Sequence, residues 1–287
     1  MKQIAVISGK GGTGKTSISA SFAVLSKNKV MVDCDVDAAD LYLLLNPQNI
    51  IANPFTSGRT PIIDKNKCIQ CGLCTKLCRF NAIRDFSVDG ISCEGCGFCY
   101  RICPCNAISM VENESGTWMA SDSQYGKFIY ARLNPGEENS GKLVARIRQE
   151  SIKIAESDKN ELIIIDGPPG TGCPVISSII GANAVLIVTE PTVSGVHDLE
   201  RVSQLADHFG IKTYVCVNKW NINEEKLHQI ESYCTQTNRD IIGKIVFDHS
   251  VSKALNKGIT MVQIENSQVS ENVRNLWDNL YNRIKEL

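Results

Sequence analysis

Charge of one sign is missing from this 287-residue chain: 30 Lys and Arg stand against 31 Asp and Glu, a formal net charge of -1. No field exists to attract a polyanion, so neither nucleic acid nor an anionic membrane is expected as a partner. Histidine is scarce, and His197, His208, His228 and His249 show no ligand spacing. No stretch approaches the roughly 18 apolar residues of a spanning helix. At the start, the apolar run Ile4 to Ile7 is far shorter than the core of a signal peptide and leads directly into glycines. The expectation is a soluble, cytoplasmic protein.

Cysteine, by contrast, is abundant, with 13 residues. In a reducing compartment these are not expected to form a disulfide framework, and their clustering points to metal. The length exceeds one average domain, which suggests one large domain and one small one.

Apolar runs alternate with helical patterns along most of the chain, as parallel α/β proteins require. The runs "QIAVIS", "KVMVD", "KFIYARL", "ELIIID", "AVLIVTE" and "TYVCVN" read as strands. Their nearly continuous apolar character suits a sheet covered on both faces. Thr16 to Ser26, Gly141 to Glu156, Gly195 to Phe209 and Glu224 to Tyr233 read as helices between them. The predicted fold is α/β, a doubly wound and mostly parallel sheet. The rhythm breaks between Pro61 and Met110, where Cys, Gly and Arg rise and the flanks "NPFTSGRTP" and "ENESG" look like linkers. Residues 61–110 are therefore expected as an inserted small α+β domain with a crude internal repeat, and residues 1–60 and 111–287 as the main domain. Near the end, Val273, Leu276, Trp277, Leu280, Tyr281, Ile284 and Leu287 fall on one helical stripe. Acids and bases balance on its polar side, so the helix is expected to dock on the domain's own core rather than on a membrane.

The stretch "GKGGTGKT", Gly9 to Thr16, fits G-x-x-x-x-G-K-[ST] between a strand and a helix. Glycines let the backbone turn N–H groups around phosphate oxygens, and the helix N-terminus adds its dipole. Gly11, Gly12, Thr13, Gly14, Lys15, Thr16 and Ser17 are the expected nucleotide-binding residues, Lys15 neutralising phosphate and Thr16 holding Mg²⁺. A merely structural glycine turn would leave the spacing, the Lys and the Thr as coincidences.

Lys10 turns the loop into the form KGGxGK[ST], which resembles the deviant phosphate loop of the MinD-like ATPases, a group that includes the nitrogenase iron protein, MinD, ParA and Mrp-type iron–sulfur carriers. The resemblance implies a P-loop NTPase fold, ATP with Mg²⁺, and a homodimer through a nucleotide sandwich in which Lys10 reaches the partner's nucleotide; a solvated loop lysine is the alternative. It aligns Asp33 and Asp35 of "VDCDVD" with the first switch, Asp35 activating the attacking water. Asp166 of "IIIDGPPGTGC" matches the acid that reaches Mg²⁺ through water, and Gly167 to Gly170 match the second switch. Capping of the next helix is the bland reading of these acids, and for Asp37 and Asp40 capping or solvation is the preferred one. Asn218 of "VNKW" aligns with an amide that hydrogen-bonds adenine, Lys219 has no assigned duty, and "VFDHS" near Asp248 occupies a second loop beside the base.

Cys68, Cys71, Cys74 and Cys78 repeat in spacing as Cys93, Cys96, Cys99 and Cys103. The fourth cysteine of each such run is expected to serve the other cluster, so Cys68, Cys71, Cys74 and Cys103 would hold one 4Fe-4S centre and Cys93, Cys96, Cys99 and Cys78 a second. Soft thiolates could take zinc instead, but the two runs closely resemble a bacterial two-cluster ferredoxin. Arg79 stands where the first run would normally have Pro, and Cys105 lies outside both runs as a bystander. Cys173 follows Asp166 at the interval of a cluster-bearing cysteine in the nitrogenase iron protein, yet no second one accompanies it and an inert thiol is favoured. Cys34, Cys216 and Cys234 read as small core hydrophobes.

The expected function is ATP hydrolysis by Lys10, Lys15, Asp35 and Asp166, coupled to electron transfer or to metallocofactor assembly on an acceptor metalloprotein. The alternatives are a MinD- or ParA-like spatial regulator, and a ferredoxin electron carrier with a vestigial ATPase.

Overall fold

A computed structural model describes residues 1–138 and 140–287. In chain order its first half contains β1 (Lys2–Ser8), α1 (Lys15–Leu25), β2 (Lys29–Asp33), α2 (Tyr42–Leu45), β3 (Gln48–Ile63), α3 (Leu73–Leu77), β4 (Ile83–Arg84), β5 (Ser87–Val88), α4 (Phe98–Ile102), β6 (Ile108–Ser123) and β7 (Gly126–Leu133). There follow α5 (Ser140–Ser157), β8 (Leu162–Pro169), α6 (Cys173–Ile179), β9 (Ala184–Thr189), α7 (Val193–His208), β10 (Lys212–Asn218), α8 (Glu224–Gln236), β11 (Asp240–Ile245), α9 (His249–Leu255) and α10 (Gln268–Lys285). The chain divides into two compact units, one of residues 1–52, 118–132 and 140–287, the other of residues 53–117 and 133–139.

The main sheet has strand order β11-β10-β9-β1-β8-β2-β7-β6-β3. β1 pairs in parallel with β8 and β9, β2 with β7 and β8, and β10 with β9 and β11. Strands covered on both faces cannot alternate in polarity, and Ile163, Ile164, Ile165, Val185, Leu186 and Ile187 are accordingly all fully buried. Register then sets the chemistry: Val6 and Asp33 both lie beside Asp166. The ends of β1, β2 and β8 therefore finish level, and the loop after β1 shares one sheet edge with two acids, the position where open α/β sheets bind ligands.

The stripe on α10 packs as its periodicity predicts. Val273, Leu276, Leu280 and Ile284 are buried, and the Trp277 ring lies 4.9 Å from that of Phe22 on α1. The exception is Leu287, beyond the helix end and exposed. Among the described residues no helix is long and apolar enough to cross a membrane.

Lys29 opens β2 with only 5% exposure, and its ammonium donates to the carbonyls of Ser26 and Tyr125. Burial, with no paired carboxylate among the described residues, pushes it down to about 8. In the unfolded chain it titrates near 10.4, so between these values the unfolded state carries more protons and stability rises with pH. A Lys29→Met variant is expected to flatten this rise in denaturant midpoints between about pH 8 and 10; an unchanged slope would show that Lys29 does not cause it.

The second unit repeats one backbone path. Gly72 and Gly97 precede α3 and α4 in the left-handed region, at φ 75° and 71°. Cys78 and Cys103 end those helices at φ -71° in both cases. Asn81 and Asn106 then turn with φ 53° and 49°. A two-stranded antiparallel sheet pairs Ile83 with Val88.

Two expectations differ from this picture. "NPFTSGRTP" and "ENESG" are strand, within β3 and β6. β3 lies at the sheet edge, the place in a sheet where prolines such as Pro54 and Pro61 are tolerated, and its many exposed side chains obscure the apolar pattern that marks a strand. The unit boundaries consequently fall inside β3, β6 and β7 instead of at linkers flanking residues 61–110.

Candidate functional site

The loop Gly9 to Gly14 bends tightly over the end of β1, and its first and last glycines leave no room for a side chain. Gly14 has φ 90°, and a Cβ there would meet the Asn218 amide nitrogen at 2.3 Å. At Gly9 a Cβ would lie 2.2 Å from the Asp198 Cβ on α7. Asn218, at the end of β10, braces the loop: its Nδ2 donates to the Thr13 carbonyl at 2.7 Å, and its Oδ1 accepts from the Lys219 backbone N–H. The amide expected at adenine is thus largely engaged by the loop itself.

Lys15, the first residue of α1, is 6% exposed and lies 3.6 Å from Asp166 Oδ1 and 3.7 Å from Asp35 Oδ2. Burial alone would lower its pKa, but Asp166, Asp35 and Asp33 outweigh that influence and hold the ammonium above its ordinary range. Burial pushes Asp33 well up, with Asp166 adding repulsion, and burial also raises Asp35 despite Lys15. Asp33 serves the backbone, accepting from Asp35 N–H at 3.0 Å and Leu41 N–H at 3.2 Å, so it shapes the loop that presents Asp35. Asp166 is fully buried; Ser19 Oγ donates to its Oδ1 at 2.9 Å, while its Oδ2 has no partner among the described residues. Thr13 Oγ1 is likewise buried and unpartnered.

A cavity of about 690 Å³ opens over this cluster. Gly11, Gly12, Thr13, Gly14, Lys15, Thr16, Ser17, Asp35, Asp37, Asp40 and Asn218 line one part of it. Val251, Leu255 and Met261 supply an apolar wall. Asp166 sits beneath Lys15 and off the cavity surface. A cationic, N–H-rich end joined to an apolar end matches a phosphate-bearing ligand with a flat apolar group.

The sequence pattern of the CobQ/CobB/MinD/ParA nucleotide binding domain matches residues 4–261. The chain belongs to this family. An uncharacterized protein of Methanocaldococcus jannaschii, MJ0578, is 38% identical over 97% of this chain and 96% of its own length. Among solved structures, the cell division ATPase MinD of Pyrococcus furiosus matches with TM-score 0.60 and 17% identity, over 98% of this chain and 99% of that one. The septum site-determining protein MinD of Pyrococcus horikoshii, solved in complex with Mg-ADP, gives TM-score 0.60 and 17% identity over 97% and 95%. The MinD-like P-loop architecture of the first unit is therefore shown.

Within this MinD/ParA-type domain, Lys10 does not line the cavity. Its ammonium pairs with Glu190 at 2.7 Å and donates to Ser194 Oγ at 2.9 Å and Thr192 Oγ1 at 3.2 Å. Lys219 takes the other Glu190 oxygen at 2.9 Å and donates to the Gly12 carbonyl at 3.1 Å. Glu190 is 10% exposed. Burial alone would raise its carboxyl, but the two lysines overcome this and hold it below the usual range. Only folding brings Glu190 to the loop and gives Lys219 a duty there, although the acid ending "AVLIVTE" is a visible signal. Glu190→Gln is expected to lower the stability of the nucleotide-free protein by about 1 kcal/mol and to speed acylation of Lys10 and Lys219. Unchanged labelling of both lysines would contradict a shared clamp.

In the second unit the cysteines line two pockets. Cys68, Cys71, Cys74 and Cys103, with Cys105, face a narrow one of about 20 Å³. Cys78, Cys93, Cys96 and Cys99, with Cys74, face a wider one of about 370 Å³. The fourth cysteine of each run thus stands with the first three of the other. Among the described residues no three His, Cys, Asp or Glu converge tightly enough to hold a single metal ion. Cys34, Cys216 and Cys234 are buried, and burial raises all three thiols, that of Cys234 to about 11. Cys173 is exposed at the start of α6.

Proposed function

We propose that the chain is an ATP-hydrolysing switch of MinD/ParA type, working as a homodimer that encloses nucleotide between two copies. The observation that carries the reading is the buried Lys15 between Asp35 and Asp166 beneath a nucleotide-sized cavity. Lys15 and the loop N–H groups bind the phosphates. Asp35, raised by burial, is placed to take a proton from an attacking water. Thr16 and Asp166 are the residues that would hold Mg²⁺; the unpartnered Asp166 Oδ2 and Thr13 Oγ1 are acceptors that fit a hydrated cation and its ligand. The ion would supply charge neutralisation on the phosphates. Lys10 is stored on Glu190 within its own chain until a second copy arrives.

What such a switch acts on is read from its relatives and its cysteines. Similar proteins with a stated role include a MinD cell division ATPase and a septum site-determining MinD, which favours a spatial regulator that positions partners. The test is sedimentation with ATP, ADP and no nucleotide. A shift to two chains with ATP, lost as phosphate is released, is the expected result, and a single chain that neither binds nor hydrolyses ATP overturns the proposal.

A specific observation favours a second reading, in which the same switch gates iron–sulfur chemistry. Eight cysteines fall into two pockets with crossed fourth members, the distribution that two 4Fe-4S clusters need. The donor set is all thiol, which suits iron–sulfur groups. Bound clusters would supply one-electron chemistry, or would themselves be delivered to an acceptor metalloprotein. Anaerobic preparation should yield about eight irons per chain with matching sulfide; their absence removes this reading and leaves the switch standing.

A further inference from the structure

The two halves of the second unit allow a position-by-position comparison. After Cys78 the chain reads Arg79-Phe80-Asn81-Ala82, and after Cys103 it reads Pro104-Cys105-Asn106-Ala107. The backbones agree: Asn81 N–H donates to the Cys78 carbonyl at 3.2 Å and Asn106 N–H to the Cys103 carbonyl at 3.3 Å. Ala82 N–H and Ala107 N–H then donate to the Cys78 and Cys103 sulfurs at 3.4 and 3.3 Å. The side chain two residues after the fourth cysteine therefore faces a pocket in both halves, Phe80 the wider and Cys105 the narrow one. In one half that place is a hydrophobic wall. In the other it is a thiol whose sulfur lies 3.7 Å from that of Cys103.

We propose that Cys105 is a spare ligand of the narrow pocket, able to replace Cys103 on the iron–sulfur group bound there. The inference rests on the second reading above. The exchange is balanced without an oxidant: the iron–sulfur bond to Cys103 breaks, that to Cys105 forms, and the thiol proton of Cys105 passes to Cys103. Adjacent sulfurs let the swap proceed by side-chain rotation, whereas Cys78 has only Phe80 at the matching place. One corner of the first centre is thereby replaceable, and the second centre is fixed.

The test reconstitutes the full-length chain anaerobically with iron and sulfide and counts both. Cys103→Ala is expected to keep the wild-type iron content with an altered electron paramagnetic resonance spectrum, and Cys103→Ala/Cys105→Ala to lose about half. Brief native alkylation followed by peptide mass mapping gives an independent readout: Cys105 is labelled in the loaded wild type and protected in Cys103→Ala. The converse design, Cys78→Ala/Phe80→Cys, should hold more iron than Cys78→Ala. Loss of half the iron in Cys103→Ala alone, or full retention in the double variant, overturns the proposal while leaving the clusters in place. A wild-type chain that takes up no iron and sulfide overturns the second reading and this inference together. Nucleotide binding, measured in each variant, checks that the first unit remains folded.

Discussion

Lys15→Met is expected to reduce ATP turnover by about a hundredfold or more, as loss of a charge-stabilising donor does in other enzymes, and also to make stability of the nucleotide-free protein depend on pH. Among the described residues Lys15 is the one cation in contact with the buried Asp166 and the half-buried Asp35, and Asp33 also feels its charge. Removing one partner of a buried charge cluster costs about 3 kcal/mol or more. The carboxylates can escape this by taking up protons. The folded pKa values of Asp33 and Asp35, already raised by burial, then rise further above the unfolded value near 4, so the folded state holds more protons in the window between, and stability falls as pH rises through it. Urea midpoints of wild type and variant should therefore converge toward pH 5 and separate toward pH 8. An equal loss at both ends would mean that Lys15 contributes packing rather than charge compensation.

Asp35→Asn should separate binding from hydrolysis. Its side chain lines the cavity and is less buried than Asp33 or Asp166, and general-base contributions run from about 10² to 10⁴ in rate. Turnover is expected to fall by that order while ATP affinity stays close to wild type. A base must be unprotonated, so the wild-type rate falls as pH drops through the Asp35 pKa. Burial has raised that value, and the acid limb should lie above about pH 4, the ordinary carboxylate value. The Asn variant should lack the limb. If it turns over normally, the proton goes to Asp37 or Asp40, which share the cavity wall.

Glu190 shows why some of the site escaped a reading of the sequence. Lys10 was legible as an unusual lysine, because its place in the loop is fixed by neighbours along the chain. Its resting partner was not, since Glu190 follows directly after another strand and meets the loop only through the parallel pairing of β1 with β9. Lys219 and the brace formed by Asn218 arise in the same way, through β10 beside β9. Asp33, which the resemblance groups with the switch acids, turns toward the backbone N–H groups of Asp35 and Leu41.

Local order was decided by residues close in sequence. Apolar runs specified the parallel strands, the stripe on α10 specified its buried face, and glycine spacing with Lys15 specified the phosphate loop, because backbone sterics and side-chain periodicity act over a few residues. Cysteine spacing likewise specified two repeated runs. The crossing of Cys103 and Cys78 between the two sets was also an expectation from spacing, and the pockets group the thiols in the same way. Only the tertiary structure turned the polar flanks into β3 and β6, braced the phosphate loop on Asn218 and gave Lys10 a resident carboxylate. Each of those outcomes depends on which distant segments pack together, and packing is a balance over the whole chain that no short pattern of residues contains.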